Sequence, residues 1–291
     1  MTEIAAVILS GLVSGATYAL LALAIVIIFR STDTVNFAVG DIGTLGVMLA
    51  FQAMQMGVPA WAGLLLAFAL AGLIGVAVEW TLIRPLGHGP QVLFVALVVT
   101  IGLGLLIHAG ILFGFGARNQ PFPALLDGTT TIFGLAVSLN RVLAGGIAVA
   151  LMLGIAWFFR VTPIGIAMRA AADDGFAARM IGISPRRVAS IAWFVGCGLG
   201  AVAAFFLAAD ASLSVNLTLA PLFRAFAGVF LGGLTSMPGA AAGGFAIGIL
   251  DNIAGRYISA SFRDTIVFSV IVLILFLRPS GFLGSGRKER V

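Results

Sequence analysis

Apolar runs about 20 residues long recur through this chain, separated by short polar turns. A run of that length crosses about 30 Å of hydrocarbon as an α-helix. Strands of an outer-membrane barrel would alternate apolar and polar residues in segments of about ten, whereas here Leu, Ala, Gly, Val and Ile follow one another without alternation. The spans therefore read as helices of an all-α integral membrane protein. Only 9% of the residues are charged, against about a quarter in soluble domains. The net charge of +5 does not point to nucleic acid, because the sixteen basic residues are scattered at helix ends, as orientation in a bilayer requires. Cys197, the single cysteine, lies in an apolar span, where it excludes an internal disulfide or a cysteine-rich metal site and serves packing. The first run, Ile4–Phe29, follows Glu3 instead of a basic segment and is too long for a signal-peptide core, so it is expected to stay as a helix.

Within the first span, Gly11 and Gly15 make a small-xxx-small face for a close helix neighbour, and Arg30 marks its end. The next span is interrupted by Asn36, Asp41 and glycines at 40, 43 and 46. Asp41 reads either as a pathway or gating residue, since an intramembrane carboxylate is costly without water or a partner, or as a charge at a helix start. A third span runs from Trp61 to Ile83, with Glu79 one turn before Arg84 and expected to pair with it. A fourth, Val92 to Phe115, carries Thr100 and His108; with no carboxylate close in sequence, the histidine reads as packing. Gly116–Arg141 is polar and loop-like, and the fifth and sixth spans are Val142–Phe159 and Val188–Ala208. The segment 221–257 is expected to be a broken or re-entrant hairpin, because its first arm is too short to cross and small residues recur at GxxxG spacing, with Asp251 and Asn252 near the end of the second arm. Irregular backbone at membrane depth is tolerated only where protein or water covers it, which puts this element at the centre or the pore. A last span, Thr265–Leu277, leads to a basic tail at 278–291.

Between the fifth and sixth spans lies a polar island, Thr162–Phe194. Thr162-Pro163 and Ser184-Pro185 each read as an N-cap followed by proline at the first helical position, and Gly182 closes the piece between them. An ordered polar element between two spans invites a docking partner; the plainer alternative is a solvated basic loop that fixes topology. Eleven of the sixteen basic residues fall on the face of Arg30, Arg84, Arg160–Arg187 and the tail, whereas Arg118, Arg141, Arg256 and Arg263 fall on the other and Arg224 is undecided. That face is expected to be cytoplasmic, with the N-terminus outside and the C-terminus inside.

No catalytic constellation appears: there are two histidines, no HExxH and no GxSxG. The only lysine, Lys288, precedes Glu289, so there is no P-loop. Transport remains, by two routes. An ion-coupled secondary transporter would use Asp41, Asp251 or Glu79 and would need no ordered docking element, whereas an ATP-driven permease would need such an element and a separate ATPase.

Several motifs then converge on one family. GLVSGATYALLALAIVIIFR followed by NFAVGD, the RPL turn with TIGL after it, RAAADDGFAARMIGIS, AFAGVFLGGLTSMPGAAAGG and FLRPSGFLG together resemble permeases of branched-chain amino acid ABC importers, of the shorter, first type. The resemblance covers nearly the whole chain. It implies one permease domain over 1–291 of about eight transmembrane segments in a bacterial-type inner membrane. The implied partners are a second permease, two ATP-binding subunits and an extracytoplasmic solute-binding protein; ATP would be held by the partner, with no cofactor in this chain. Within the segment 160–187, Arg169, Ala170, Ala171, Asp173, Asp174, Gly175, Gly182 and Ile183 would match the ATPase-coupling helix. Asn36, Asp41, Thr100, Gly232, Gly233, Gly239 and Asp251 are the pathway candidates. Arg224 replaces an expected Lys, and Thr235 stands where Gly is common. The solute would be a branched-chain or similar hydrophobic amino acid, with amides and urea as alternatives.

Overall fold

The computed structural model describes residues 2–87, 91–132, 135–259, 262–277 and 281–283. In chain order the helices are α1 (Thr2–Thr32), α2 (Val39–Gln55), α3 (Ala60–Val78), α4 (Val92–Phe115), α5 (Leu139–Val161), α6 (Pro163–Asp173), α7 (Gly175–Met180), α8 (Pro185–Asp210), α9 (Leu219–Gly232), α10 (Met237–Tyr257) and α11 (Arg263–Leu277). Two short strands, β1 (Thr129–Ile132) and β2 (Leu135–Ser138), pair antiparallel with Thr129 opposite Ser138. This hairpin lies in the stretch expected to be loop; the β-branched run Thr129–Ile132 favours extended pairing once the chain has left the bundle. Helix α5 also begins earlier than expected, taking in Arg141.

Among the described residues, five helical stretches are long and apolar enough to cross a membrane: Ala6–Thr32, Ala60–Leu86, Val92–Phe115, Leu139–Val161 and Pro185–Asp210. The expected count of about eight is thus met only in part. Helices α2, α9 and α11 have 17, 14 and 15 residues, and α10 is diluted by glycines, Asp251 and Asn252. The second long stretch is continuous because α3 runs on through a π-helical turn at Glu79–Ile83 and a 3-10 turn at Arg84–Leu86.

Packing sorts these helices into a centre and a rim. The apolar windows of α1 and α8 are both 78% buried, whereas those of α4 and α5 are 17% and 22% buried and face outward. Small residues let the central helices approach closely, since lipid is as apolar as leucine and van der Waals contact must drive association. Along the antiparallel α1–α10 contact, Gly11 meets Ile249, Gly15 meets Gly248 and Ala19 meets Gly244, so the expected Gly11/Gly15 face is used. Gly196 of α8 lies on Ala24 and Ile28 of α1, and Gly43 of α2 lies on Gly200 near the middle of α8.

The basic residues separate by end. Arg30, Arg160 and Arg169 line one cavity together with Met237 and Pro238 from the start of α10. Arg84 reaches the Arg186 carbonyl at 3.5 Å, so it belongs to this end as well. Arg141 and Arg263 line a cavity at the opposite end. Arg224, undecided from sequence, bonds Asp264 beside Arg263. The basic tail lies outside the described residues except for 281–283, whose backbone docks on the α9–α10 turn: Phe282 N donates to the Leu231 carbonyl at 2.8 Å and Leu283 N to the Gly232 carbonyl at 3.1 Å.

Candidate transport and coupling site

Three elements hold the sequence-derived candidates, and each departs from regular helix. In the first, α1 ends at Thr32, Asp33 takes a positive φ of 53°, and the chain runs irregularly through Thr34, Asn36 and Ala38, all fully buried or nearly so. Buried backbone polar groups without partners are expensive at membrane depth. Asn36 answers one, its Oδ1 accepting from the Ala38 amide at 2.9 Å; the Thr100 hydroxyl of α4 reaches another, shared between the Val35 carbonyl at 3.3 Å and the Leu97 carbonyl of its own helix at 3.1 Å. Two pathway candidates, 64 positions apart in the chain, thus hold the same break. It delivers the N-terminus of α2 to the middle of the bundle, where the Val39 carbonyl lies against Gly200.

Asp41 occupies the first turn of α2, where a carboxylate complements the helix dipole. Its Oδ1 lies 4.0 Å from His108 Nδ1, a carboxylate neighbour that comes from the packing of α4 on α2 and not from nearness in sequence. Gly104, one turn earlier on α4, leaves the space: a Cβ there would stand 2.8 Å from Asp41 Oδ2. The N-terminus of α9 meets the same region through a Thr44–Thr218 hydrogen bond of 2.9 Å and a Phe37–Phe226 stack with centroids 4.5 Å apart.

The second element is the α9–α10 hairpin. Ser236 caps α10, its hydroxyl accepting from the Gly239 amide at 3.1 Å, and Gly233 turns the chain with a φ of 103°. Gly232 and Gly239 face each other across the turn. At the far end of the hairpin Asp251, 0% exposed, accepts from Arg224 Nε at 2.9 Å and Tyr18 Oη at 3.1 Å, and stands 2.8 Å from Arg263 Nε. Arg224 also donates to Asp264 at 2.7 Å. This buried network ties α1, α9, α10 and α11 together and was not visible in the sequence. Asn36, Asp41 and Thr100 therefore gather at one place, Gly232, Gly233 and Gly239 at a second, and Asp251 at a third.

The third element is the polar island. Thr162 caps α6 as expected, accepting from the Gly165 amide at 3.0 Å. The stretch matched to the coupling helix, Arg169 to Ile183, is two helices, because Asp174 takes an extended conformation and its carboxylate caps α7, accepting from the Phe176 and Ala177 amides at 2.9 Å. Gly182 closes α7 with a φ of 84°, and Ser184-Pro185 opens α8, although the serine side chain makes no capping bond. Phe176, Met180 and Ile181 are 68%, 75% and 74% exposed, an apolar face missed by a reading centred on charge. Ala170, Ala171 and Ile183 are half-buried on the bundle side. Asp173 reaches Arg30 at 3.9 Å, and Arg169 turns inward toward the cavity at the end of α5.

Glu79, 2% exposed, meets Arg84 through two hydrogen bonds of 3.1 and 2.9 Å and accepts from Ser190 at 2.9 Å, the pairing expected from their spacing. Among the described residues no three His, Cys, Asp or Glu side chains gather as metal ligands would.

The family model described as branched-chain amino acid transport system / permease component matches residues 7–277. The chain belongs to this family. The high-affinity branched-chain amino acid transport system permease protein BraD of Pseudomonas aeruginosa is 26% identical to this permease, covering 98% of this chain and 97% of that protein. LivH of Escherichia coli, of the same description, is 27% identical over 97% and 96%. The fructose import permease protein FruF of Bifidobacterium longum is more distant, 24% identical over 84% of this permease and 69% of its own length. Among solved structures, PsaBC from Streptococcus pneumoniae in complex with Fab matches with a TM-score of 0.51 at 13% identity, covering 93% of this chain and 91% of that one. A likeness at that identity speaks for the fold alone.

Proposed function

We propose that this permease is one of two membrane subunits of an ATP-driven importer for branched-chain or similarly small hydrophobic amino acids. It would work with a second permease, two ATP-binding subunits that supply the ATP chemistry, and a soluble extracytoplasmic binding protein. The observation that carries this reading is the family match over residues 7–277, joined to relatives whose full length it shares. In this reading the chain is a single domain of about eight membrane segments. It lies in a bacterial-type inner membrane with its N-terminus outside, and the end bearing Arg30, Arg84 and the polar island faces the cytoplasm, in keeping with the concentration of basic residues there.

Coupling is assigned to the segment 160–187. The ATPase would rest on α7 through Phe176, Met180 and Ile181, since an exposed apolar face on a polar segment is the kind of surface a partner buries. Asp174 then acts inside the subunit as a cap, and Gly175, which has nothing within 4 Å of a built Cβ, lies open to the partner. The pathway is assigned to the break around Asn36, Asp41 and Thr100, where the N-termini of α2 and α9 meet; helix N-termini inside a bundle favour the carboxylate of an amino acid. Gly232, Gly233 and Gly239 would let the hairpin turn move with the coupling segment. Asp251 is assigned to bracing, because three donors already occupy its carboxylate, and that argues against using it for ion coupling.

A second reading, import of another small solute, draws on the distant likeness to a fructose permease. The test is uptake in proteoliposomes holding the whole importer. Leucine uptake that needs ATP inside and survives a protonophore is expected. Uptake abolished by the protonophore and indifferent to ATP would refute the reading, and retention of a sugar or urea by the binding protein would replace the solute.

A further inference from the structure

At the basic end of the bundle, α1, α5, α6 and the start of α10 enclose a cavity of about 280 Å³. Its walls are almost wholly apolar, with Phe159, Met237 and Ala241 among them, and Arg30, Arg160 and Arg169 are the basic residues that line it. The wall formed by α5 opens outward, since Leu153 is 66% exposed and Ala156 is exposed beside it. Trp157, 60% exposed on the next position of α5, has the place of an interfacial aromatic. Nε of Arg169 is buried without a hydrogen-bond partner. A buried guanidinium N–H left unpaired costs free energy that a bound acceptor would recover. Asp173 stands 3.9 Å from Arg30 and is itself 78% exposed, too distant and too solvated to neutralise it.

We propose that this cavity binds an anionic phospholipid, its phosphate held by Arg30, Arg160 and Arg169 and an acyl chain laid along Leu153, Ala156 and Phe159. Charge complementarity selects an anion, and guanidinium forks match phosphate oxygens. The apolar walls opening on the membrane-facing side of α5 select a lipid over a free ion, as basic pockets between transmembrane helices at the cytoplasmic surface do. The site joins the end of α1, the coupling segment and the α9–α10 turn, so an occupied site would brace the elements that the proposed coupling has to move. This role in coupling rests on the proposed function; the binding itself does not.

The experiment uses the full importer in detergent, followed by mass spectrometry of the lipid that stays bound after exchange against phosphatidylglycerol or phosphatidylcholine. Ala156 lies outside the segment assigned to coupling and Arg160 is its first residue, so A156W and R160Q are both read by the lipid they retain and not by uptake. The wild type is expected to retain phosphatidylglycerol in at least tenfold preference over phosphatidylcholine, and both variants to lose that preference, while R118Q at the other end keeps it. Unchanged preference in either R160Q or A156W overturns the proposal. Displacement of the lipid by millimolar inorganic phosphate would also overturn it, because a free-phosphate site needs no apolar wall. ATP-dependent uptake is measured separately, so a failure of the importer reading leaves the lipid result standing.

Discussion

Gly232 and Gly239 meet backbone to backbone across the α9–α10 turn, so close that a Cβ built on either overlaps the carbonyl group of the other. No side-chain rotation relieves such a clash, because the atoms in the way are main chain. G232A or G239A must therefore separate the two arms, at or above the about 1–3 kcal/mol typical of overpacking. We expect either substitution to lower the thermal midpoint of the purified importer and to abolish uptake, while G102A, whose Cβ would have nothing within 4 Å, changes neither. Normal uptake with G239A would show the turn to be peripheral.

Asp251 is the shared acceptor of a network whose cations have few other partners. D251N leaves Arg224 and Arg263 facing a neutral amide in a buried site, and breaking a buried pair in this way costs about 3–5 kcal/mol. D264N removes a carboxylate that is 66% exposed, where an ion pair contributes at most about 1 kcal/mol. Thermal unfolding should rank D251N far below D264N. Equal midpoints would mean that Asp251 braces nothing and would return it to the list of residues that move with the solute.

The docking assignment is separable from stability because Gly175 faces open space. G175R should fold and insert as the wild type does, yet lose association with the ATPase in co-purification and lose uptake. The double variant F176A/M180A should behave in the same way by removing the apolar contact. G165A is the structural contrast: its Cβ would overlap the Phe158 carbonyl, so it should lower stability as well. ATPase capture at the wild-type level by G175R would sink the docking role.

Much of this architecture was legible in the sequence because its causes are local. Run length gave the long spans, Gly11 and Gly15 gave the α1 contact, Thr162-Pro163 gave the start of α6, and Glu79 reached Arg84 one turn on. The missed features depend on how distant helices pack. His108 gains Asp41 as a neighbour only because α4 lies on α2 with Gly104 between them, and Tyr18 and Asp251 are 233 positions apart. The division of the island is legible only in part. Asp173-Asp174 fits a continuing helix surface as well as a cap, and only the extended conformation at Asp174 decides for the cap, splitting the segment into α6 and α7.

The break between α1 and α2 offers the sharpest test of why polar residues were placed among apolar spans. Thr100 is fully buried and its hydroxyl serves the Val35 carbonyl; Asn36, also fully buried, serves the Ala38 amide. T100V keeps the shape and removes a donor shared by the Val35 and Leu97 carbonyls, a loss of about 0.5–1.5 kcal/mol, and N36A leaves the buried Ala38 amide unpaired at about 1–3 kcal/mol. Because both hold one short stretch, their effects should not add: once the stretch has loosened in one variant, the second loses less, a coupling of about 0.5–3 kcal/mol in a double-mutant cycle. T100S restores the hydroxyl and should recover most of the lost midpoint. If the break also shapes the pathway, T100V lowers uptake more than its stability loss explains, measured at a temperature where the variant stays folded. Strictly additive losses, with no rescue by serine, would show that the two residues pack independently and that the hydrogen bonds do not hold the break.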